Sequence, residues 1–246
     1  MKVWAKAVTA SIAAVLGGYG GWAALSYARY GGPHRRDGSE HDESLDRFIP
    51  KYDVYDRHTI VVNARPDVTL AAARNQDLFD SPLINAIFKA RGWAMGSSPE
   101  TPRRRQGLLG TTLALGWRVL EDAPGRELVV GAVTRPWQAN VTFRGIAPEQ
   151  YAAFDEPDYV KIVWSLRADP MDGGDRCLFS TETRAVATDE EAARKFRRYW
   201  ALASPGISLI RRIGLPTLKT TAEQIGATAT ASPSPPLSEP LEQPGL

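Results

Sequence analysis

YVKIVWSLRADPMDGGDRCLFSTETRAVATDEEAARKFRRYW, residues 159–200, carries the reading of the fold. Tyr159 to Ala168 alternates. Ile162, Trp164 and Leu166 fall on one face of an extended chain, and Lys161, Ser165 and Arg167 on the other, which is the period of a strand with one covered side. Asp172-Gly173-Gly174-Asp175 has the residues of a tight hairpin turn, and Cys177 to Ala187 is the returning strand. Thr188 and Glu191 then have the spacing of a capping box. Ala192, Phe196, Tyr199, Trp200 and Ala203 follow at helical intervals. A hairpin running directly into an amphipathic helix predicts an antiparallel sheet with one face packed on that helix.

Upstream, Leu113, Leu115, Trp117 and Val119 alternate with smaller or polar residues and predict a strand over 112–119. Asp122 to Gly125 reads as a turn, Glu127 to Thr134 as the next strand, Val141 to Arg144 as a short one, and Pro148 to Phe154 as a helical turn. His58 to Ala64 is β-branched and ends at Arg65-Pro66, which disfavours continuation. Asp67 is placed to cap a short helix over 68–73, and Ser81-Pro82 starts another whose apolar face is Leu83, Ile84, Ile87 and Phe88. Residues 95–110, with Arg103-Arg104-Arg105, read as a solvated loop. Downstream, Pro205-Gly206 predicts a break or kink in the last helix, and Pro216 a second disturbance.

This order, with the strings GAVTRPW (131–137), FDEPDYVKIVWSLR (154–167), TETRAVATDEEAARKFRRYW (181–200) and SPGISLIRR (204–212), resembles the START-like (SRPBCC) superfamily, in particular its uncharacterised bacterial members. The resemblance covers residues 55–222 and implies an α+β helix-grip fold for a domain at 55–226, a curved antiparallel sheet around a long C-terminal helix. It also implies an apolar cavity between the two, for a lipid, a polyketide or an aromatic molecule. Trp117, Trp137 and Phe143 are its expected lining on the first strands, and Ile162, Trp164 and Leu166 on the hairpin. Thr181 and Thr183 are its expected hydroxyls, and Phe196 and Trp200 its contribution from the helix. The function that follows is binding or shuttling of a hydrophobic small molecule. The alternatives are a cyclase or dehydratase acting in that cavity, and a structural or interaction domain without ligand.

Residues 7–28 carry no formal charge, and a helix of that length crosses a hydrocarbon core of about 30 Å. Trp22, Tyr27 and Tyr30 near its end suit a headgroup layer. The expected plan is a membrane anchor at 1–29, a polar linker at 30–54, the domain at 55–226, and a Pro- and Ser-rich disordered tail at 227–246. The alternative to a single-pass anchor is a signal peptide cleaved near Ala24-Leu25-Ser26. Lys2 and Lys6 before the run and Arg29, Arg35 and Arg36 after it leave the side of the membrane open. Gly17 and Gly21 have the spacing that lets two such helices approach closely.

A net charge of +2 gives no pull toward nucleic acid. Cys177 is the single cysteine, which excludes an internal disulfide and a cysteine-built metal site. His34, His41 and His58 are scattered, and no GxSxG, HExxH or phosphate-cradling loop occurs, so no catalytic residue, metal or cofactor is expected. Thr181-Glu182-Thr183-Arg184 has two readings. Glu182 is either a general base in the cavity, or part of a cross-strand ion network with Arg167 and Arg184 on the convex face, worth about 0.2–1 kcal/mol per pair. The alternation around Trp164 favours the network. Arg197-Arg198 and Arg211-Arg212 read as solvated helix faces, with anionic headgroups as their functional alternative.

Overall fold

The computed structural model describes residues 17–28, 41–96 and 106–231. A helical stretch, α1 (17–28), comes first. Then follow α2 (Glu43–Phe48), β1 (Val54–Val62), α3 (Pro66–Asn75), α4 (Pro82–Met95), α5 (Gly107–Ala114), β2 (Arg118–Ala123) and β3 (Glu127–Thr134). The chain ends through β4 (Phe143–Arg144), α6 (Pro148–Tyr151), β5 (Val160–Met171), β6 (Arg176–Ala187) and α7 (Glu190–Ala231). The strands form one six-stranded antiparallel sheet in the order β1-β6-β5-β3-β2, with β4 paired to β3. This is the α+β arrangement of antiparallel sheet and long C-terminal helix that residues 159–200 predict.

The alternation in β5 assigns the two faces. On the helix side, Val62, Leu128, Leu166 and Phe179 pack with Leu70 of α3 and with Leu218 and Ala222 of α7. Further along the same face, Val54, Val160 and Ala185 pack with Phe196 and Trp200 of α7. The other face is covered as well. Val129, Val133 and Val163 lie under Leu45, Phe48, Ile49 and Tyr52, and under Tyr151 of α6. Residues 42–53, expected as the end of a linker, are therefore a packed layer. Asp42 caps α2 by accepting from the Leu45 amide at 3.0 Å, and Leu45, Phe48 and Ile49 are fully buried. The polar composition of this stretch hid an amphipathic turn of only a few apolar residues.

Other differences have local causes. The strand expected over 112–119 is α5 up to Ala114 and β2 from Arg118. Leu108, Leu109 and Thr112 share a helical face, and Gly116 makes the turn at φ +98°, where a Cβ would meet the Phe143 carbonyl oxygen at 2.3 Å. β1 begins at Val54 rather than His58. Asp189, not Thr188, caps α7, accepting from the Ala192 amide at 2.8 Å, while the Thr188 hydroxyl bonds the Tyr159 backbone. α7 runs unbroken through Pro205 and Pro216 and on to Ala231, past the expected start of the tail at 227. Each proline removes one backbone hydrogen bond. Buried Trp200, Leu218 and Ala222 hold the helix on the sheet, and the glycines allow close contact, Gly206 with Ile87 and Gly214 with Leu78.

Residues 7–16 of the uncharged N-terminal run, and 232–246 of the tail, lie outside the described residues. The described end of the run, α1, lies against α7. Ser204 donates to Ser26 at 3.0 Å, and the Arg197 guanidinium donates to the Tyr27 carbonyl and stacks 4.0 Å from its ring. Among the described residues no helix is long and apolar enough to cross a membrane.

Candidate functional site

Register builds two rows across the helix-side face of the sheet. Asp56 of β1 stands opposite Thr183 of β6, and Thr183 opposite Trp164 of β5. One step along, His58 stands opposite Thr181, and Thr181 opposite Leu166. The β1 and β6 ends of these rows are polar, and the β5 and β3 ends are apolar. α7 adds Arg211 from above. Its guanidinium donates to Asp56 Oδ2 and to Thr183 Oγ1, each at 2.5 Å, and also to the Asp56 carbonyl. The second Asp56 oxygen meets His58 Nε2 at 3.1 Å.

This strip divides the helix-side core. Val160, Ala168, Phe179 and Ala185 at its ends are sealed, whereas Ile162 and Trp164 between them are half-buried. The side chains of Asp56, His58 and Arg211 keep 16%, 23% and 13% exposure, so solvent reaches the middle of the sheet–helix interface. Chemically the strip is an amphipathic seat, with two hydroxyls, an imidazole and a carboxylate–guanidinium pair at one side and an indole and aliphatic wall at the other.

The residues expected to line a cavity all lie on the helix side or on α7 but divide between the two packing groups. Trp117 and Phe143 pair at 5.1 Å beside the first, which also holds Trp164 and Leu166. Trp137, Ile162, Phe196 and Trp200 belong to the second. Thr181 and Thr183 sit in the strip between them, nearly buried at 9% and 8%.

Glu182 faces the other way, as alternation requires, so the general-base reading in the helix-side cavity fails. The network is present in part, since Arg184 pairs with Glu182, but it is buried and without Arg167. Arg184 is fully buried and Glu182 is 2% exposed, because α2 and Tyr52 cover them. Arg184 donates to Glu182 at 2.7 Å and to Asp46 at 2.5 Å. Burial pushes the Glu182 carboxyl above the usual range against the pull of Arg184. Arg167 does not reach Glu182. It binds Asp169 at 2.9 Å and approaches Asp42 and Glu127.

Two clefts formed by the described residues lie away from the seam between sheet and α7. One lies beside α2, lined by Asp42, Ser44, Glu127 and Arg167 among others. The second lies by α6, lined by Arg144, Ile146, Glu149 and Phe154 among others. No cluster of three or more histidine, cysteine or acidic side chains suited to a metal occurs among the described residues.

No family model and no curated protein matches this chain. Among solved structures, it is similar to a hypothetical protein from Helicobacter pylori at 9% identity and a TM-score of 0.35, over 78% of this chain and 99% of that one. It is similar to CalU16 from Micromonospora echinospora at 15% identity and 0.24, over 72% and 88%. It is similar to the Zhui aromatase/cyclase of a Streptomyces at 12% identity and 0.27, over 73% and 96%.

Sequence reasoning missed Asp56, His58 and Arg211. The β-branched run starts at His58 and leaves Asp56 outside the expected strand, although Val54, Asp56, His58 and Ile60 continue one alternation backwards. The sequence reads Arg211 with Arg212 as a solvated pair. Yet Trp200, Ser204, Ile207, Arg211, Leu218 and Ala222 share one helical stripe, and a charged residue on that stripe must find a partner under the helix.

Proposed function

We propose that this chain is a distant START-like domain that binds a hydrophobic small molecule between the sheet and α7. The observation that carries the reading is the incomplete core. Ile162 and Trp164, at the centre of the helix-side face, are half-buried between sealed ends, and they border a polar strip. A domain that needed only stability would close this seam with aliphatic side chains. A binding site needs the opposite, an apolar wall with a few placed polar groups. The apolar body of the ligand lies over Trp164, and its polar end meets Thr181, Thr183 and His58. Titration of the full chain with a neutral fluorescent naphthylamine probe tests this. A saturable signal, with quenching that Trp164→Phe alters, is expected. Absence of uptake refutes it and favours a domain without ligand.

The Asp56–His58 contact favours a second reading, in which the bound molecule undergoes proton transfer. A carboxylate that orients an imidazole leaves the other ring nitrogen for a substrate proton. Turnover lost in His58→Gln, with probe binding intact, is the outcome that selects it.

The run 7–28 belongs to the same proposal as the segment that holds the domain at a bilayer. Its support is the uncharged sequence, together with exposed Trp22, Leu25 and Tyr27 on α1 and Leu202 and Leu209 on α7. Flotation of the full chain with vesicles, compared with a chain starting at residue 41, tests it. Equal recovery of both in the soluble fraction refutes it.

A further inference from the structure

Between Glu191 and Glu223, α7 carries no acidic residue, and its basic side chains divide into two sets. The first set is committed to the protein. Lys195 pairs with Asp158 and Glu191 at 2.8 Å each, Lys219 donates to the Val61 carbonyl, and Arg211 turns under the helix to Asp56. Arg197 donates to the Tyr27 carbonyl of α1 and covers its ring. The second set, Arg194, Arg198 and Arg212, is exposed. Arg194 approaches Glu190 at 3.9 Å as a loose surface pair, and the Arg212 guanidinium lies 5.8 Å from the Trp22 ring of α1.

At 3.6 residues per turn, these three arginines share one stripe with Leu202, Pro205 and Leu209, within an arc of about 80° and over a length of about 27 Å. The stripe is cationic at both ends and apolar in the middle, where Leu202 is 59% and Leu209 39% exposed. An apolar row flanked by guanidinium groups is the pattern of a helix that lies in a bilayer interface. α1 adds to it. It seats on α7 through polar contacts, the Tyr19 hydroxyl to the Leu202 carbonyl and Ser204 to Ser26, and leaves Leu25 at 74% exposure. Hydrogen bonds thus hold the two helices together, and their leucines stay uncovered. The sequence of α1 says what covers them. α1 is the end of the uncharged run 7–28, and an anionic bilayer takes an uncharged run, a row of leucines and a set of guanidinium groups together.

We propose that the outer stripe of α7 docks on an anionic lipid headgroup layer, with Arg194, Arg198 and Arg212 on the phosphates and Leu202 and Leu209 at the acyl boundary. This rests on the reading that the run 7–28 holds the domain at a bilayer, and it adds the lipid class and the orientation, with α7 along the membrane plane.

The test uses the full chain with Leu209→Cys carrying the polarity-sensitive dye acrylodan. Cys177 is buried, and the unsubstituted chain checks that it stays unlabelled. Glu149→Cys, on α6 across the sheet, is the labelled control. The vesicles are phosphatidylcholine alone, or an equal mixture of phosphatidylcholine and phosphatidylglycerol. A blue shift at position 209 is expected on the mixed vesicles and not on phosphatidylcholine, reversed by high salt, with none at position 149. Arg194→Gln with Arg198→Gln is expected to lower the docking equilibrium read from this shift by about tenfold or more, while flotation of the chain persists. Equal shifts on the two vesicle types, an undiminished shift in the double variant, or an equal shift at position 149 overturns the proposal. Flotation separates the two readings. A chain that floats with phosphatidylcholine but shows no shift at 209 on either vesicle keeps the anchor and refutes docking by α7. A chain that ignores phosphatidylcholine but shifts on the mixed vesicles refutes the anchor and keeps the docking.

Discussion

Arg184→Met is the most informative perturbation of the fold, because Arg184 joins the sheet to the layer that the sequence disguised as a linker. The side chain is fully buried. It donates to Glu182 at 2.7 Å, to Asp46 at 2.5 Å and to the Ile49 carbonyl at 3.4 Å, and it lies 4.8 Å from the centre of the Tyr52 ring. Methionine fills much of the volume and supplies none of the charge. Glu182 then keeps only Arg57 at 3.8 Å as a counter-charge. Removing one partner of a buried ion pair costs about 3–5 kcal/mol, which at ~2–4 °C per kcal/mol for a domain of this size lowers Tm by about 6–20 °C. Adding Glu182→Gln removes the stranded carboxylate and recovers part of the loss, so a double-mutant cycle gives a coupling of about 1 kcal/mol or more. The pH dependence has a fixed sign. An acid whose folded pKa is raised costs nothing below its unfolded pKa and its full penalty above its folded pKa. The defect of Arg184→Met therefore shrinks as the pH falls from 8 toward ~4. Urea denaturation at several pH values measures both quantities. A loss under ~1 kcal/mol, or a loss independent of pH, would refute the claim that this pair is buried and coupled.

The remaining predictions concern single sites. Glu127 is also an acid raised by burial, so wild type gains stability relative to Glu127→Gln as the pH falls through the raised pKa, and a constant difference across denaturation curves sinks the assignment. Gly131→Ala places a Cβ 2.4 Å from Leu120 Cδ1 and 2.9 Å from the Tyr151 ring, and a thermal scan is expected to register a cost of about 1–3 kcal/mol. Asp189→Ala removes the cap of α7 and lowers the urea midpoint, whereas Thr188→Val, if Thr188 were the cap, would show the larger loss. Trp164→Ala is expected to cost less than the ~3–5 kcal/mol of a fully buried large aromatic, because Trp164 is half-covered, while lowering probe affinity; full-sized destabilisation with unchanged binding would make it plain core.

The fold was most legible where a pattern had only one physical solution. Tyr159 to Ala187 alternates around a glycine turn, and the strands and register follow from it. The same alternation correctly sent Thr181 and Thr183 to one face and Glu182 and Arg184 to the other. It could not say what covered the second face, because α2 is a single short amphipathic turn among charged residues. Leu113 to Val119 misled because apolar residues at every second position also fit a helix end followed by a strand, and only the backbone demand at Gly116 separates the two. Pro205 and Pro216 misled for a different reason. Local propensity is a weak prior against the tertiary packing of a stripe from Trp200 to Ala222. The polar strip was half legible, since Thr181 and Thr183 come from β6 alone. Asp56 and Arg211 join them only through contacts between β1, β6 and α7, and single-sequence periodicity carries no information about such contacts.

The two faces of the sheet divide stability from function. Arg184, Glu182 and Tyr52 interlock with Asp46, Leu45, Phe48 and Ile49 on one face, where all of these but Asp46 are buried and changes to them are expected to show as lost stability. On the other face, the sheet and α7 meet tightly only at the two ends. The middle is held by one partly exposed bridge, Arg211 to Asp56 and Thr183, in place of packed aliphatic side chains. A hydrogen-bonded bridge can exchange partners with an entering polar group, whereas a packed aliphatic seam can only be displaced. The rigid face thus makes the open one affordable. Substitutions that fill the seam and leave no charge behind, such as Asp56→Leu with Thr183→Val and Arg211→Leu, are expected to raise stability by denaturation and to lower probe uptake in the same protein. A gain in stability with unchanged uptake would separate the seam from binding and return the groove to an ordinary, imperfect core.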